Sequence, residues 1–474
     1  MRRKSRIVRF LSLSTRWWLP ETTPPRLLLF FIATVVFVLV WILWGIFLKY
    51  PAAHNAGPAI CIVVLSFMVL AITLVISIPD TDRRLQEYHQ KLLAVSKIIA
   101  IALVICSVVI AVVMIPWIYI DGYISVFGKI EVAPATSDAI AITHQANQIL
   151  LDGDNPYGQT NVVKAMEDFR TVAPTIMRQG AFADAYPSPS QSQIDDALAT
   201  AQANPDVVPL EFESTLSYPA GAFLIRTPSD ALGIAPQWLY LLCVLLMAAF
   251  IVWRAPKHLR PVAIIGCLAS ALVWNSHFGG GTDALYILFI LLGWTLRKRL
   301  WLAALLIGIA CSCKQTAWFF VPFYLVLILR ETGWRKALQS LAGIGIVFFL
   351  INSPFIIADP KVWITSVLAP MTDPLFPYGI GVVSFATLSH TPVPQVIFTA
   401  LEATAFVVAL AWYYRNCRKA PQAGLLLAIV PLFFAWRSLI AYFVTIPLLV
   451  FGAVLIEESR KDRILQPESA TAAP

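Results

Sequence analysis

Long apolar runs alternate with short polar segments along most of the chain. The first three runs cover residues 27–47, 60–78 and 98–118, and none of them contains an acidic or basic residue. Each run approaches the roughly 20 apolar residues that a helix needs to cross about 30 Å of hydrocarbon. The pattern therefore predicts membrane-spanning helices rather than the buried helices of a soluble protein.

The same pattern predicts the architecture of the whole chain. We expect an all-α, polytopic membrane helical bundle of about 12 transmembrane helices, with a range of about 10–13. A long polar segment interrupts the runs and is predicted to be an extracytoplasmic loop that bears short amphipathic helices. The predicted spans lie near 27–48, 58–78, 98–119, 236–253, 260–275, 283–296, 300–313, 316–330, 338–356, 394–413, 422–436 and 438–456.

The basic residues give this bundle an orientation. They form dense clusters that alternate with acidic or uncharged segments between the spans: 2–9, 83–97, 254–260, 297–299, 330–336, 415–419 and 460–463. Because loops on the cytoplasmic side carry an excess of Lys and Arg, we expect both termini inside and the long loop outside.

This orientation divides the chain into four predicted regions. They are a cytoplasmic tail with the first three transmembrane helices (1–119), the extracytoplasmic loop (120–235), the remaining transmembrane core (236–456) and a second cytoplasmic tail (457–474). Within the loop, residues 186–193 and 203–209 are rich in turn-forming residues and resemble an insertion.

Composition agrees with a membrane protein and excludes other classes. Hydrophobic residues make up 58% of the 474-residue chain and charged residues 13%, about half the share usual in soluble domains. The net charge of +8 does not indicate nucleic-acid binding, because the basic clusters lie between the spans, where the orientation rule explains them. The seven cysteines show neither a disulfide framework nor zinc-ligand spacing, so we expect no metal and no cofactor.

One stretch of the loop, SDAIAITHQANQILLDGDNPYG, has helical periodicity. Ser137 is a suitable N-cap, Asp138 occupies the first turn and Gly153 is a suitable C′ residue, so we expect a short helix on the membrane surface or against the bundle. A turn at 154–158 ends it. Asp138 could serve only to offset the helix dipole, a contribution of roughly 0.3–1 kcal/mol, or it could be a functional carboxylate.

Further polar groups are predicted at the outer ends of several spans. One of them, Lys314, lies far from the basic clusters and would be costly in lipid if unpaired. Its side chain could also simply extend to the membrane interface. Two cations and at least two carboxylates are thereby expected to converge on one face of the bundle. The groups are His277 and Asp283 around three glycines, Lys314 and Gln315 at a helix junction, and Arg437 and Tyr442 near the last pair of spans.

Four segments carry a resemblance to a known family. The segments are 137–158, 216–225 (LSYPAGAFLI), 279–323 (beginning GGGTDALYILF) and 352–370 (NSPFIIADPKVWITSVLAP). In order and spacing they resemble the GT-C superfamily of integral-membrane glycosyltransferases, especially its bacterial polyprenol-phosphate-mannose-dependent mannosyltransferase-like branch. The resemblance extends from about residue 120 to the C-terminus.

The resemblance implies roles for the polar groups. The acidic general base of the first large outer loop falls on Asp138, and the family's lysine–glutamine junction falls on Lys314 and Gln315, which would contact the donor phosphate together with Arg437. Asp283 matches an aspartate after a glycine-rich turn, but this chain reads Gly-Gly-Thr-Asp where the family more often has Gln or His in the second position. The substrate-binding or supporting residues would be Asp154, Asn155, Tyr157, Tyr218, His277 and Asp283.

The implied function is transfer of a hexose, with mannose as the first choice, from a polyprenyl-phosphate donor. The acceptor would be a glycolipid or envelope-linked glycan on the outer face of the membrane, and the anomeric configuration would be inverted. General chemistry agrees, because such a transfer needs a base near the acceptor oxygen and a fixed cation near the leaving phosphate. Two alternatives remain open: a transporter or flippase of a lipid-linked or anionic solute, and a non-catalytic membrane scaffold.

Overall fold

The computed structural model describes residues 24–49, 55–79, 81–120, 124–126, 130–132, 136–169, 172–270 and 282–465. Within these ranges the chain is mostly helical, and the strands form three two-stranded pairs. Ile124–Val126 pairs antiparallel with Ile130–Val132, whereas the other two pairs are parallel: Thr136–Ser137 with Val172–Ala173 and Tyr378–Gly379 with Arg437–Ser438. The predicted all-α class is confirmed.

Six helices in the described ranges are long and apolar enough to cross a membrane. They are Pro25–Lys49, Ala56–Ser77, Pro236–Arg254, Trp334–Ala358, Gln395–Asn416 and Ala441–Glu458, in which a short break divides Ala441–Val444 from Ile446–Leu465. A seventh is added if the segments Thr81–Tyr88 and Leu93–Cys106, bent by 85°, count as one span. The polytopic helical bundle is thus confirmed, while the count of about 12 spans stays a prediction.

Several predicted spans correspond to helices that are too short to cross hydrocarbon alone. Asp283–Thr295 has 13 residues and Leu300–Cys313 has 14, so each is only about 20 Å long. Helices of similar or smaller length make up the rest of the bundle: Arg260–Ala269, Phe320–Thr332, Pro360–Thr372, Ser384–Ser389 and Ala423–Leu427, with 3₁₀ turns at Gln86–Tyr88, Lys257–Leu259, Gln315–Phe319 and Val430–Phe433. Thr81–Leu85 and His89–Ile120 complete the N-terminal part.

Small residues let the two short central helices pack closely. A side chain at Gly293 would meet Cγ1 of Ile307 at 2.6 Å, and one at Gly308 would meet Cβ of Val347 at 2.7 Å. Leu300–Cys313 therefore packs directly between Asp283–Thr295 and Trp334–Ala358. Because of this close packing, the beginning of Asp283–Thr295 and the end of Leu300–Cys313 lie at the same level of the bundle.

The polar loop folds into a small helical layer with a core of its own. Its helices are Asp138–Leu151, Val162–Glu167, Gln191–Ala203, Gly221–Leu224 and Thr227–Ala231, with a 3₁₀ turn at Gly180–Phe182. Buried aromatic residues such as Phe182, Phe212 and Phe223 pack with Phe355 and Trp363 at the end of the membrane bundle. The turn-rich stretch at 186–193 leads into Gln191–Ala203 through a capping box between Ser190 and Gln193.

The helix Asp138–Leu151 forms as predicted and packs against the short loop helices Gly221–Leu224 and Thr227–Ala231. Gly153 follows it with a φ of +95°, the conformation expected of a C′ glycine. Arg226, which is fully buried, donates to Oγ1 of Thr143 at 2.5 Å and pairs with Asp230 at 3.2 Å. Asn147 donates to the same aspartate. These contacts fix the position and rotation of the helix that carries Asp138.

Candidate active site

A cavity of about 490 Å³ opens where the short helix Asp283–Thr295 begins and its partner Leu300–Cys313 ends. This volume lies within the range of small-molecule sites. The polar loop forms one wall, and the helices Pro360–Thr372 and Gln395–Asn416 form the others. Its polar lining includes Asp138, Thr175, Glu213, Ser217, Tyr218, Asp283, Lys314, Gln315, Asp373, Glu402, Arg437 and Tyr442.

Asp138 lines this cavity from the N-terminus of its helix. Its Oδ1 accepts from the backbone N–H of Ala139 at 2.7 Å, and its Oδ2 accepts from the backbone N–H of Thr175 at 2.8 Å. Ser137, the predicted N-cap, makes no capping hydrogen bond with its side chain. The aspartate thus takes over part of the capping, and its carboxylate is held at a fixed place on the cavity wall.

Glu213 stands beside Asp138, and the sequence did not indicate it. Its backbone N–H donates to the carbonyl of Thr175 at 2.9 Å. Its Oε1 atom is buried and has no hydrogen-bond partner among the described residues. Burial and the neighbouring charge of Asp138 raise the pKa of this carboxyl to about 7, against an opposing effect of Arg437.

Lys314 lines the floor of the cavity, where the helix Leu300–Cys313 ends. Its Nζ lies 2.9 Å from Oδ1 of Asp283, whose side chain is 3% exposed, and 3.4 Å from Oγ1 of Thr282. The same ammonium lies 5.8 Å from the ring centre of Tyr218 and 5.9 Å from that of Tyr442. The predicted lysine is therefore held by a carboxylate and two aromatic rings within the bundle, and it does not extend to the interface.

Arg437 enters the cavity from the strand Arg437–Ser438. That strand pairs with Tyr378–Gly379, and Gly379 has a φ of +133° and lies so close that a side chain there would meet the carbonyl of Ser438 at 2.0 Å. In the described part of the chain Arg437 forms no ion pair. Two cations and several carboxylates thus face the same space.

Residues 216–441 match the family model of glycosyltransferase family 87. This match, which covers just under half of the chain, supports a membrane glycosyltransferase of the GT-C type. The match begins in the polar loop and ends in the segment that carries Arg437, and it confirms the resemblance inferred from the sequence. No curated protein and no solved structure matches the chain.

Gln315 and Tyr157 support the cavity wall. The side-chain amide of Gln315 donates to the carbonyls of Ser217 and Val367, the latter at 2.7 Å. The hydroxyl of Tyr157, a buried residue, donates to the carbonyl of Tyr218 at 2.7 Å. Both residues act on the segment that carries Tyr218, although Gln315 also lines the cavity itself.

The remaining predicted residues lie elsewhere. Asn155 accepts from the backbone N–H of Tyr157 at 3.1 Å and so shapes the turn, while Asp154 is exposed; neither lines the cavity. His277 lies outside the described residues. No group of three or more His, Cys, Asp or Glu side chains in the described ranges is arranged to hold a metal ion.

Two more cavity carboxylates were missed by the sequence analysis: Asp373, which follows the helix Pro360–Thr372, and Glu402, on the helix Gln395–Asn416. Gln395 and Thr399 precede Glu402 on the same helix, and all three line the cavity. Their spacing of four and three residues puts them on one helical face, in a helix whose other residues are largely exposed and apolar. A polar stripe at that spacing inside an apolar run is the signal that would have identified them.

Proposed function

We propose that this protein transfers a hexose, with mannose as the first choice, from a polyprenyl-phosphate donor to a glycolipid or envelope-linked glycan. The anomeric configuration is inverted, because the acceptor hydroxyl attacks in a single displacement and no covalent sugar–enzyme intermediate is needed. The observation that carries the proposal is one cavity lined by a carboxylate fixed by backbone amides, Asp138, and by the cations Lys314 and Arg437.

The carboxylate and the cations suit the two ends of this reaction. Asp138 is the general base that takes the proton of the acceptor hydroxyl, an effect typically of about 10²–10⁴-fold. A cation opposite it stabilises the negative charge that grows on the leaving phosphate. Such an arrangement needs no acid on the leaving group, since a phosphate leaves as an anion.

Arg437 and Lys314 make different contacts with the donor phosphate. The charge of Lys314 is largely balanced by Asp283 at 2.9 Å, whereas Arg437 has no ion-pair partner in the described ranges. An arginine can also bind two phosphate oxygens at once. We therefore assign the main phosphate contact to Arg437 and a second, oriented contact to Lys314, with Gln315 beside it.

The depth and lining of the cavity support a lipid-borne donor. The floor lies at the end of helices of about 20 Å, whereas the neighbouring helix Trp334–Ala358 spans 25 residues, about 37 Å. The cavity is thus recessed among the membrane helices. Phe319, Val367, Pro370 and Met371 give it an apolar side, which suits the first isoprene units of the donor.

A direct assay tests this function. The protein is reconstituted in liposomes with radiolabelled polyprenyl-phosphate mannose and a bacterial glycolipid extract. We expect the label to move into a new lipid or glycan product while polyprenyl phosphate is released in equal amount. Parallel assays with other polyprenyl-phosphate hexoses identify the sugar. Movement of intact donor across the bilayer, without a new product, would favour the transporter or flippase instead.

The orientation of the site requires its own measurement. We propose that the cavity opens on the extracytoplasmic side, because the basic clusters lie towards the other end of the helices. In intact cells, a membrane-impermeant thiol reagent should label Asp154→Cys in the exposed turn but not Lys419→Cys in a basic cluster. Labelling of only Lys419→Cys would reverse the orientation and exclude an extracytoplasmic acceptor.

A further inference from the structure

We infer that Glu213 is a second catalytic carboxylate of this glycosyltransferase, which receives from Asp138 the proton of the acceptor hydroxyl. The inference rests on the proposed function, because it concerns the same site and the same reaction. It assigns Asp138 a transient role as proton carrier and Glu213 the role of terminal acceptor. Nothing in the sequence pattern suggested the glutamate.

One residue, Thr175, links the carboxylate of Asp138 to the backbone of Glu213. Its backbone N–H donates to Oδ2 of Asp138 at 2.8 Å, and its carbonyl accepts from the backbone N–H of Glu213 at 2.9 Å. The backbone of Glu213 is further fixed because Met177 donates to the carbonyl of Glu211 at 2.8 Å. Both acids therefore face the cavity from one rigid piece of the loop.

The two carboxylates differ in how their oxygens are used. Each oxygen of Asp138 already accepts a backbone N–H. Oε1 of Glu213 is buried and has no hydrogen-bond partner among the described residues. A buried oxygen without a donor is costly as a carboxylate and gains from receiving a proton. Oε1 of Glu213 is thus the oxygen of the pair that gains a missing partner by taking the proton.

The charges around Glu213 are consistent with this role. Asp138 and Tyr218 on the same loop interact with it, as do Asp373 and Tyr442 from other parts of the cavity wall, and Arg437 is the opposing cation. Burial and the acidic neighbours raise its pKa to about 7, while Arg437 lowers it. A proton acceptor with a pKa near the working pH is the most efficient in general base catalysis.

The acceptor oxygen forms a bond to the anomeric carbon of the sugar. At the same time the bond from that carbon to the phosphate oxygen breaks, and its electron pair leaves with polyprenyl phosphate. The hydroxyl proton passes to Asp138 and from there to Oε1 of Glu213. Glu213 then releases it to water through the open side of the cavity, which restores both carboxylates.

The test is the pH dependence of transfer in Glu213→Gln. In the wild type the rate should rise with pH around 7 and level off above it, since Glu213 must be ionised to accept the proton. Glu213→Gln is expected to transfer at least about tenfold more slowly above pH 7 and to lose that rise. Binding of a fluorescent polyprenyl phosphate and the thermal unfolding midpoint should stay unchanged.

Two further variants complete the design. Glu211→Gln is the matched control, because its carboxylate accepts from the backbone N–H of Ala181 at 2.7 Å outside the cavity, and it should keep the wild-type rate and profile. Glu213→Asp retains a carboxylate, so its transfer rate should still rise with pH, although the rate itself should be lower. If Glu213→Gln folds poorly, this variant tests the role of Glu213 instead.

The outcomes separate this inference from the proposed function. Wild-type rate and profile in Glu213→Gln, or a slow variant that keeps the rise near pH 7, overturns the role of Glu213 alone. The proposed function survives that result as long as the wild type transfers sugar and Asp138→Asn does not. A wild type that transfers no sugar overturns the function itself.

Discussion

The charged residues at the two ends of the helix Asp283–Thr295 are arranged differently. At its first residue Asp283 pairs with Lys314 on the floor of an open cavity, and more carboxylates than cations line the walls around them. Just beyond its last residue, Arg297 is 5% exposed and is enclosed by acidic partners. The same helix therefore connects an open charged cluster with a closed one.

The closed cluster satisfies its charges internally. Nε of Arg297 lies 3.1 Å from Oε2 of Glu331, and Nη1 of Arg297 lies 3.5 Å from Oε2 of Glu457. The side-chain amide of Gln422 also donates to Glu457. A second closed cluster joins Arg26 to Asp82 at 3.1 Å and to Glu458. Each cluster ties together helices that are distant in the sequence. Charges arranged in this way need no ligand and serve the fold.

The open cluster is unbalanced without a ligand. Arg437 has no ion-pair partner among the described residues, and Oε1 of Glu213 has no hydrogen-bond partner there. Buried charges and polar atoms that lack partners are costly. Such a cost is typical of sites where a substrate supplies the missing partners, and it predicts that changes at the two ends will have separable effects on activity and on stability.

The largest effect is expected for Asp138→Asn. Asparagine keeps one oxygen that can accept from the backbone N–H groups of Ala139 and Thr175 and loses the other, so the variant should fold with a lowered unfolding midpoint. It cannot take a proton, and transfer should fall at least about a hundredfold. The measurement is the initial rate with labelled donor, together with the thermal unfolding midpoint. Asp154→Asn, on an exposed residue of the same loop, is the control and should transfer normally. Near-normal transfer by folded Asp138→Asn would move the base elsewhere.

A double-mutant cycle on Lys314 and Asp283 should show the next largest effect. Lys314→Ala is expected to lower transfer roughly tenfold to a hundredfold, the value of a hydrogen bond to a charged group. The single change also leaves Asp283 buried without its cation, which could reduce activity indirectly. Lys314→Ala combined with Asp283→Asn removes that penalty.

The cycle thereby separates two roles of Lys314. Stability measured by thermal unfolding should recover in the double variant, whereas transfer should remain low, because the donor phosphate still lacks its cation. Recovery of both quantities would mean that Lys314 only neutralises Asp283. Lys314→Arg should retain part of the rate, since the charge persists in a different geometry.

Part of the open cluster could be predicted from the sequence because Lys314 and Arg437 interrupt apolar runs away from the basic clusters. Asp138 opens the predicted helix of the polar loop, and the structure brings all three to one cavity. The helix of Asp138 was predictable from its periodicity and its Gly153 terminator. These signals are local, so a single chain reveals them.

Glu213 and the short central helices could not be predicted in this way. Glu213 is one of many acidic residues in a polar loop, and only the tertiary contact through Thr175 distinguishes it. Apolar periodicity also does not report whether a helix is long enough to cross the whole membrane, and Leu300–Cys313, with 14 residues, is not. His277, outside the described residues, remains a prediction.

The closed cluster is tested by Arg297→Met, which should lower stability and spare catalysis. The change leaves Glu331 and Glu457 without their shared cation, at a cost of about 2 kcal/mol, less than for fully buried partners because both acids are partly exposed. The unfolding midpoint should fall while the rate per folded molecule stays within about twofold. The control is Arg335→Met, an exposed arginine over Trp334, which should change neither. If Arg297→Met lost transfer without losing stability, the closed cluster around Arg297 would take part in the reaction.

The smallest effect is expected for Tyr157→Phe, which probes the layer directly behind the cavity. Tyr157 packs against the rings of Phe223 and Phe355, with centres 6.0 and 5.5 Å away, and only its hydroxyl contacts the segment of Tyr218. Phenylalanine keeps the packing and loses one hydrogen bond, so the free energy of unfolding should drop by about 1 kcal/mol.

Because the carbonyl of Tyr218 stays anchored by its neighbours in the chain, we expect transfer by Tyr157→Phe to fall by no more than a few-fold. Tyr186→Phe is the matched control, since that hydroxyl donates to the carbonyl of Thr391 at the exposed surface, where water replaces the lost partner at little cost. If Tyr157→Phe instead lost a hundredfold in rate at an unchanged unfolding midpoint, Tyr157 would be part of the open cluster, and the boundary between supporting and reacting residues would lie one layer deeper than the cavity wall.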